Sequence, residues 1–164
     1  MLPDKSYWIK KLKLQPHPEG GYYVENYRNL DLVDAVPDGL EKPHNASTSI
    51  YHLLDSDMKS FCHKLSADEM WYYHVGSPVT IFMIEAGGNF KVKVCGPGEN
   101  EDLAVLVPKN TWFGARVFEE NSFVLVSCNV APGFEFTDFE MSDRNELIRK
   151  YPQHKEAILK YTLL

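Results

Sequence analysis

Between residues 47 and 139 the sequence alternates apolar and polar side chains with a period of two, and glycine and proline interrupt this pattern at short intervals. Such alternation is typical of β-strands, in which successive side chains point to opposite faces of a sheet. Short strands separated by turns, with no helix between them, predict an all-β protein built as an antiparallel sandwich or barrel. The predicted strands cover residues 47–54, 59–65, 69–75, 78–85, 90–95, 103–107, 112–118 and 122–130.

Helical patterns flank this alternating region. Residues 6–14 place apolar side chains on one face and lysines on the others, which predicts a short N-terminal helix. Residues 142–164 predict C-terminal helices in the same way. A chain of 164 residues suits one domain, so we expect a single domain over 1–164 with a barrel at about 20–140.

Composition and local pattern predict the structure of two further segments. Residues 29–46 contain prolines, a glycine and few large apolar side chains, which indicates a loop. Residues 134–140 alternate apolar and polar side chains and predict a half-exposed strand.

The net charge and the cysteine content indicate which binding partners and which cellular compartment to expect. The chain has 17 basic and 23 acidic residues, a net charge of −6, so we expect neither nucleic acid nor a membrane as partner. Cys62, Cys95 and Cys128 are widely spaced, which is unlike a disulfide framework or a thiolate metal cluster. Lysines interrupt the N-terminal segment where a secretory signal would be apolar, and no run approaches the ~18 apolar residues of a membrane span. We therefore expect a cytoplasmic protein with a small-molecule ligand.

The densest group of chemically functional side chains lies in residues 61–76. In a strand, Glu69, Trp71 and Tyr73 share one face, and His63 lies on the preceding strand across a short connection. A hairpin there would bring an imidazole and a carboxylate together beside aromatic rings. Burial and pairing tune both groups, so the pair is a candidate acid–base unit. The same two residues could instead form an interior hydrogen bond without turnover.

Glu19 is a second candidate, because it directly precedes Gly20 and Gly21. Two glycines permit a tight turn that would aim the Glu19 carboxylate at the mouth of a barrel. The alternative is a turn that only links the first helix to the first strand. Strand 47–54 has two candidate inward faces. Either Thr48-Ile50-His52 or Ser49-Tyr51-Leu53 would point into the barrel.

Five ordered motifs resemble those of the Cupin_5 family, small cupins of unknown function. They lie at residues 15–23, 47–51, 68–71, 107–108 and 131–136, so that the resemblance spans about residues 8 to 141. His63, Glu69 and Gly76 also resemble the first general cupin motif, and residues 107–113 resemble the second. The resemblance implies a jelly-roll cupin barrel (a double-stranded β-helix), a homodimer, and a fold similar to that of dTDP-sugar 3,5-epimerases.

The departures from the general cupin pattern concern metal binding. In metal-binding cupins three histidines and one glutamate hold the ion, and here Leu65 and Phe113 occupy two of the histidine positions. Leucine and phenylalanine offer no donor atom to a metal. We therefore predict no metal site and no other cofactor, with Phe113 in an apolar wall of the pocket.

These observations predict a small-molecule-binding cupin, and the resemblance suggests a metal-independent isomerase or epimerase acting on a sugar or sugar-phosphate-like carbonyl compound. His63 would then move a proton beside the carbonyl, Glu69 would orient the imidazole, and Tyr73 or Tyr51 would donate a hydrogen bond. The alternatives are a non-catalytic metabolite-binding cupin and a metal-dependent cupin oxygenase. The predicted catalytic residues are His63, Glu69 and Tyr73, and the predicted pocket residues are Glu19, Tyr51, Phe61, Trp71 and Phe113.

Overall fold

Two antiparallel β-sheets pack face to face in the computed structural model, which describes residues 3–33 and 43–162. The strands are β1 Gln15–Pro16, β2 Tyr22–Arg28, β3 Leu32–Val33, β4 His44–Asn45, β5 Thr48–Asp55, β6 Ser60–Leu65, β7 Asp68–Gly76, β8 Val79–Ile84, β9 Phe90–Cys95, β10 Ala104–Val107, β11 Trp112–Val117, β12 Phe123–Ala131 and β13 Phe139–Met141. The helices are α1 Lys5–Leu12, α2 Arg144–Lys150 and α3 Lys155–Tyr161, with 3₁₀ turns at Phe136–Asp138 and Pro152–His154. Within the described residues, none of the helices has the length and apolar character needed to cross a membrane.

The strand order is that of a jelly roll. The first sheet runs β1-β2-β5-β12-β7-β10 and the second runs β13-β6-β11-β8-β9, while β3 and β4 pair as a separate ribbon. The all-β prediction is confirmed, and each of the eight predicted strands is found with its ends within one residue. The loop predicted at residues 29–46 contains the β3–β4 ribbon, and its residues 34–42 lie outside the described part of the chain.

The prediction of a strand over residues 134–140 was wrong for the first half of that segment. Phe136–Asp138 forms a 3₁₀ turn, and Phe139–Met141 alone pairs with β6, between Leu65 and His63. A strand needs a neighbouring strand for its backbone hydrogen bonds, and alternation along one segment does not reveal how much neighbouring edge is free. The 3₁₀ turn leaves the Phe136 side chain largely exposed beside the barrel.

Among the residues that the structure describes, three apolar clusters hold the layers together. The largest fills the barrel between the sheets and contains Trp71 and Phe113. The second lies on the outer face of the second sheet, where α2 and α3 cover Phe82 and Trp112. The third lies on the outer face of the first sheet beneath α1. Because β8 has buried side chains on both faces, its near-continuous apolar sequence is explained. All three cysteines are buried free thiols.

Candidate functional site

Residues of both sheets line a cavity of about 340 Å³. Its walls come from β2, β5, β6, β7 and β12, from the segment before β2, and from residues 134–139. Sites for small organic molecules span roughly 300–1,000 Å³, so this cavity suits a ligand at the small end of that range. Three buried side chains with a carboxyl or imidazole group line it, namely Glu19, His63 and Glu69, and the buried Cys128 thiol lines it as well.

Glu19 and His63 form a buried ion pair. The His63 Nε2 atom lies 3.0 Å from Glu19 Oε2, and the two residues are 2% and 6% exposed. Ser60 donates its hydroxyl hydrogen to Glu19 Oε1 at 3.0 Å. Burial alone would raise the pKa of Glu19, but the charge and hydrogen bond of His63 outweigh it and hold that pKa well below its usual range.

His63 is an imidazolium in this arrangement. Its Nδ1 atom lies 2.7 Å from the carbonyl oxygen of Phe61, which only accepts hydrogen bonds, so Nδ1 carries a proton. Its Nε2 atom faces the Glu19 carboxylate and carries the second proton. Burial opposes the charge, yet the attraction and hydrogen bond of Glu19 prevail and raise the pKa of His63. The ring therefore has no free lone pair with which to accept a proton.

A tight turn between β1 and β2 carries Glu19 into the barrel. The Gly20 N–H donates to the His17 carbonyl at 3.0 Å, and the His17 N–H donates to the Gly21 carbonyl at 3.0 Å. The Phe61 N–H also donates to the Glu19 carbonyl at 2.7 Å, which ties the turn to β6. Gly20 adopts φ +109°, a conformation that side chains disfavour.

Gly20→Ala is expected to destabilise the protein by at least about 1 kcal/mol, because a Cβ there would lie 1.9 Å from the Lys59 carbonyl oxygen in a strained conformation. The matched control is Gly87→Ala, where, its two chain neighbours aside, no atom of the described residues lies within 4 Å of the added carbon. Urea unfolding of both variants measures the difference. Equal stability of the two variants would show that the turn tolerates a side chain at Gly20.

Glu69 is the third titratable residue of the cavity. It is 7% exposed, and its Oε2 atom is buried without a hydrogen-bond partner among the described residues. Burial raises the pKa of Glu69, and the negative charge of Glu19 raises it further, to about 7, although His63, the nearby indole N–H of Trp71 and the nearby thiol of Cys128 act in the opposite direction. Near neutral pH this carboxyl therefore exists in both protonation states.

Two further histidines surround Glu19. The His17 Nδ1 atom accepts a hydrogen bond from the Glu19 backbone N–H at 3.2 Å, and burial lowers the pKa of His17 to about 4, so this ring is neutral. The His52 Nε2 atom donates to the Gly20 carbonyl at 3.1 Å. The His52 Nδ1 atom lies 3.8 Å from Glu19 Oε1. Both rings fix the turn in place.

Charged residues and phenylalanines form the mouth of the cavity. Arg28 donates to both carboxylate oxygens of Glu25 at 2.8–2.9 Å and to Glu135 at 2.5 Å. It also donates to Asn45 and to the Phe134 carbonyl. Three phenylalanines of the segment after β12 stand beside these charges: Phe134, Phe136 and Phe139.

The structure brings three predicted site residues together and separates others from them. His63, Glu69 and Glu19 line one cavity, but His63 is bonded to Glu19, and among the described residues no hydrogen bond joins His63 to Glu69. Tyr73 packs on the barrel core and donates to the Gly76 carbonyl at 2.6 Å, outside the cavity lining. Tyr51 lies on the outer face of β5, in the cluster beneath α1. Their catalytic and binding roles stay predictions.

The other predicted pocket aromatics stand behind the cavity wall or beside it. Phe113 packs on the His63 ring at 4.1 Å between centroids, and Trp71 packs on Phe113 at 6.5 Å. Phe61 lines a second cavity of about 390 Å³ that shares His17 with the first. On β5, Thr48 and Ile50 line the first cavity, which settles the inward face of that strand.

Several lining residues were not predicted from the sequence. Arg28, Glu25 and Glu135 are charged residues of an ordinary-looking strand and loop, and nothing in their local pattern indicates that they meet. His17 lies in the same motif as Glu19, which was the available signal. The alternating pattern around the phenylalanines of residues 134–139 indicates a strand and does not show that their rings line a cavity.

The residues present do not fit the metal of metal-binding cupins. Leu65 lines the cavity with an apolar side chain at one ligand position, and Phe113 packs on His63 at another. The remaining histidine, His63, uses both ring nitrogens as donors, whereas a metal ligand needs a lone pair. Within the described ranges, no group of three or more His, Cys, Asp and Glu side chains is arranged to hold a metal ion.

Known proteins of similar sequence and structure share this architecture. A hypothetical protein from Leishmania major is 32% identical, with 99% of this chain and 100% of that chain covered and a TM-score of 0.92. Protein SO0799 from Shewanella oneidensis is 36% identical, with 99% of each chain covered and a TM-score of 0.88. No curated protein matches the sequence.

More distant structures show the fold alone. A cupin 2 domain-containing protein from Halorhodospira halophila is 13% identical, with 92% of this chain and 88% of that chain covered and a TM-score of 0.58. Oxalate decarboxylase from Bacillus subtilis is also 13% identical, with 89% of this chain but 36% of that chain covered and a TM-score of 0.56. The strand order and these neighbours show that the chain has the cupin fold.

One family within the cupin superfamily matches the sequence. The model of Cupin_5, described as Cupin superfamily (DUF985), matches residues 6–142, most of the chain. The chain belongs to the Cupin_5 family, as its ordered motifs suggested.

Proposed function

We propose that the protein binds a small organic molecule in the 340 Å³ cavity and that Glu69 is the residue through which it recognises or transforms that molecule. The buried Oε2 atom of Glu69, which has no hydrogen-bond partner among the described residues, carries this proposal. A buried polar atom without a hydrogen-bond partner is destabilising, and a ligand that supplies the missing partner recovers that free energy on binding.

The other polar groups of the cavity support the same assignment. His63 and Glu19 satisfy each other, and Arg28 is engaged by carboxylates on two sides. Such paired groups position their surroundings but have little capacity left for a ligand. Glu69 differs from them, since it is enclosed, titratable near neutral pH and unbonded at Oε2.

Ile50→Trp is expected to abolish binding, because Ile50 lines the cavity and the larger indole would fill it. The control is Val92→Trp, which adds the same ring on the exposed face of β9. Ligand-observed NMR with mixtures of small amines, alcohols, ketones and carboxylic acids measures binding, and thermal unfolding verifies that each variant folds. We expect compounds whose signals respond to the parent and to Val92→Trp but not to folded Ile50→Trp. Compounds that bind all three proteins equally would place the site elsewhere.

A second candidate function is proton-transfer isomerisation of a carbonyl compound. Glu69 favours it, since a carboxyl with a pKa of about 7 is suited to both accept and return a proton at neutral pH. In this reaction the Glu69 carboxylate removes a proton from the carbon beside the carbonyl, and the C–H electron pair becomes the enolate. The hydroxyl proton on that carbon passes to the enolate oxygen, and the protonated Glu69 returns its proton to the former carbonyl carbon, which leaves the new carbonyl on the neighbouring carbon. Glu69 would thus take the base role that the sequence assigned to His63.

This candidate requires solvent exchange at carbon. Incubation with ketosugars in deuterated water should place deuterium beside the carbonyl, and Glu69→Gln should reduce the rate at least about a hundredfold, the scale of general acid–base catalysis. Without deuterium incorporation in any ketosugar, the binding function would stand alone.

A further inference from the structure

The charges around the cavity are unbalanced. Four carboxyl groups line it, those of Glu19, Glu25, Glu69 and Glu135, whereas His63 and Arg28 are the cations among its described lining residues. His17 also lines the cavity but is neutral, because burial lowers its pKa to about 4. With four acids against two cations, the lining has a net charge of −2 when Glu69 is ionised and −1 when it is protonated.

Both cations already have anionic partners. His63 donates one proton to Glu19 and the other to a backbone carbonyl. Arg28 directs its guanidinium at Glu25 on one side and at Glu135 on the other. A phosphate or carboxylate on a ligand would have to displace these carboxylates, and it would approach Glu69 with the same charge. Anionic ligands are therefore disfavoured both beside Arg28 and beside Glu69.

Glu69, in contrast, is suited to bind a positively charged group of a ligand. Its carboxyl is buried, and the Oε2 atom has no hydrogen-bond partner among the residues described. An ammonium group offers N–H donors and a positive charge, so it would pair with this carboxyl through a charge-assisted hydrogen bond. A neutral hydroxyl would offer one uncharged donor instead.

Aromatic rings stand where the organic part of such a ligand would lie. Phe134 and Phe136 meet edge to face with centroids 5.0 Å apart, and Phe139 lies 6.3 Å from Phe134. Tyr23 lines the same cavity. Aromatic faces attract cations through their quadrupole, and they also pack well against an apolar ligand body.

We infer that the cavity selects an organic cation, an amine whose ammonium group meets Glu69 and whose apolar body packs on the phenylalanines of residues 134–139. This inference rests on the proposed binding function and names its ligand class. It disfavours the sugar phosphates that the family resemblance suggested, because the cavity offers no unpaired cation among its described lining residues to receive a phosphate.

Three probes of nearly equal shape test the inference: benzylammonium, benzyl alcohol and benzoate. Calorimetric titration of the full chain should show benzylammonium binding at least about tenfold tighter than benzyl alcohol, and benzoate binding weakest. Glu69→Gln keeps the shape of the side chain and removes its charge, so the preference should fall to about twofold or less. Glu146→Gln, an exposed carboxyl on α2, is the control and should keep the full preference.

Other outcomes overturn the inference in distinguishable ways. If benzyl alcohol or benzoate binds as tightly as benzylammonium and Ile50→Trp abolishes that binding, the proposed binding function survives and the cation preference does not. The cation preference is likewise refuted if benzylammonium fails to saturate the parent while neutral compounds bind in the cavity. A preference that persists unchanged in Glu69→Gln would also refute the role of this carboxyl.

Discussion

Glu69→Gln is expected to become progressively more stable than the parent as the pH rises from about 4.5 to about 7, by a total of about 3 kcal/mol. Burial and the charge of Glu19 raise the pKa of Glu69 in the folded protein. Below its unfolded pKa the carboxyl is protonated in both states and has no effect. Between the two pKa values the unfolded chain releases the proton and the folded chain keeps it, so the parent loses stability as the pH rises.

Urea unfolding of the parent and Glu69→Gln at several pH values measures this difference. Its change with pH is the relevant quantity, because any constant packing effect of the glutamine cancels. Glu146→Gln, which removes an exposed carboxyl, should follow the parent at every pH. A stability difference between Glu69→Gln and the parent that is flat from about pH 4 to about pH 8 would mean that Glu69 titrates normally.

Glu19→Gln is expected to lower the free energy of unfolding by about 3–5 kcal/mol at neutral pH, because it leaves the His63 imidazolium buried without its counterion. His63→Gln should be similarly harmful, since it strands the Glu19 carboxylate. The double variant should cost less than the sum of the two by about 1–3 kcal/mol. Ser60→Ala, which removes one hydrogen bond to Glu19, is a milder variant and should cost about 1 kcal/mol.

The pH dependence of this pair has two limits. Because the pKa of Glu19 is lowered, its contribution is present above the unfolded pKa and is lost as the pH falls through the folded one. Because the pKa of His63 is raised, its contribution is present below the unfolded pKa and is lost as the pH rises through the folded one. Additive effects of Glu19→Gln and His63→Gln, measured by urea unfolding, would show that the two residues do not form an ion pair in solution.

The strands were predictable because alternation is a local property. Every strand of the barrel between β5 and β12 was visible in its own sequence, and so were the apolar positions of both faces of β8. The 134–140 segment was not, because pairing depends on the free edge of β6, which is far away in the chain. The homodimer that the family resemblance implies stays a prediction.

The site was only partly predictable, because alternation gives the face of a residue but not its depth in the barrel. Glu69, Trp71 and Tyr73 do share a strand, yet the Tyr73 hydroxyl bonds to Gly76, away from the cavity. A register shift also interrupts the pairing of β6 with β11 between His63 and Ser60, and Ser60, not Phe61, reaches Glu19.

The partner of His63 is a long-range feature. Glu19 lies in a turn before β2 and contacts a histidine on β6, and this pairing depends on how the two sheets close. Local spacing favoured Glu69, which follows His63 closely in the sequence. The two glycines after Glu19 were the one local sign that its backbone needed an unusual turn.

The central claim is that the His63 imidazole is paired with Glu19, so that Glu69 is the reactive group of the cavity. The protonation state of His63 tests this claim most directly. Two-dimensional NMR of the ¹⁵N-labelled full chain distinguishes an imidazolium from a neutral ring. At neutral pH His63 should show two protonated ring nitrogens, while His17, with its lowered pKa, should show a neutral ring in the same spectrum. A neutral His63 ring with one bare nitrogen would contradict the account, because that nitrogen would then be free to act as a base.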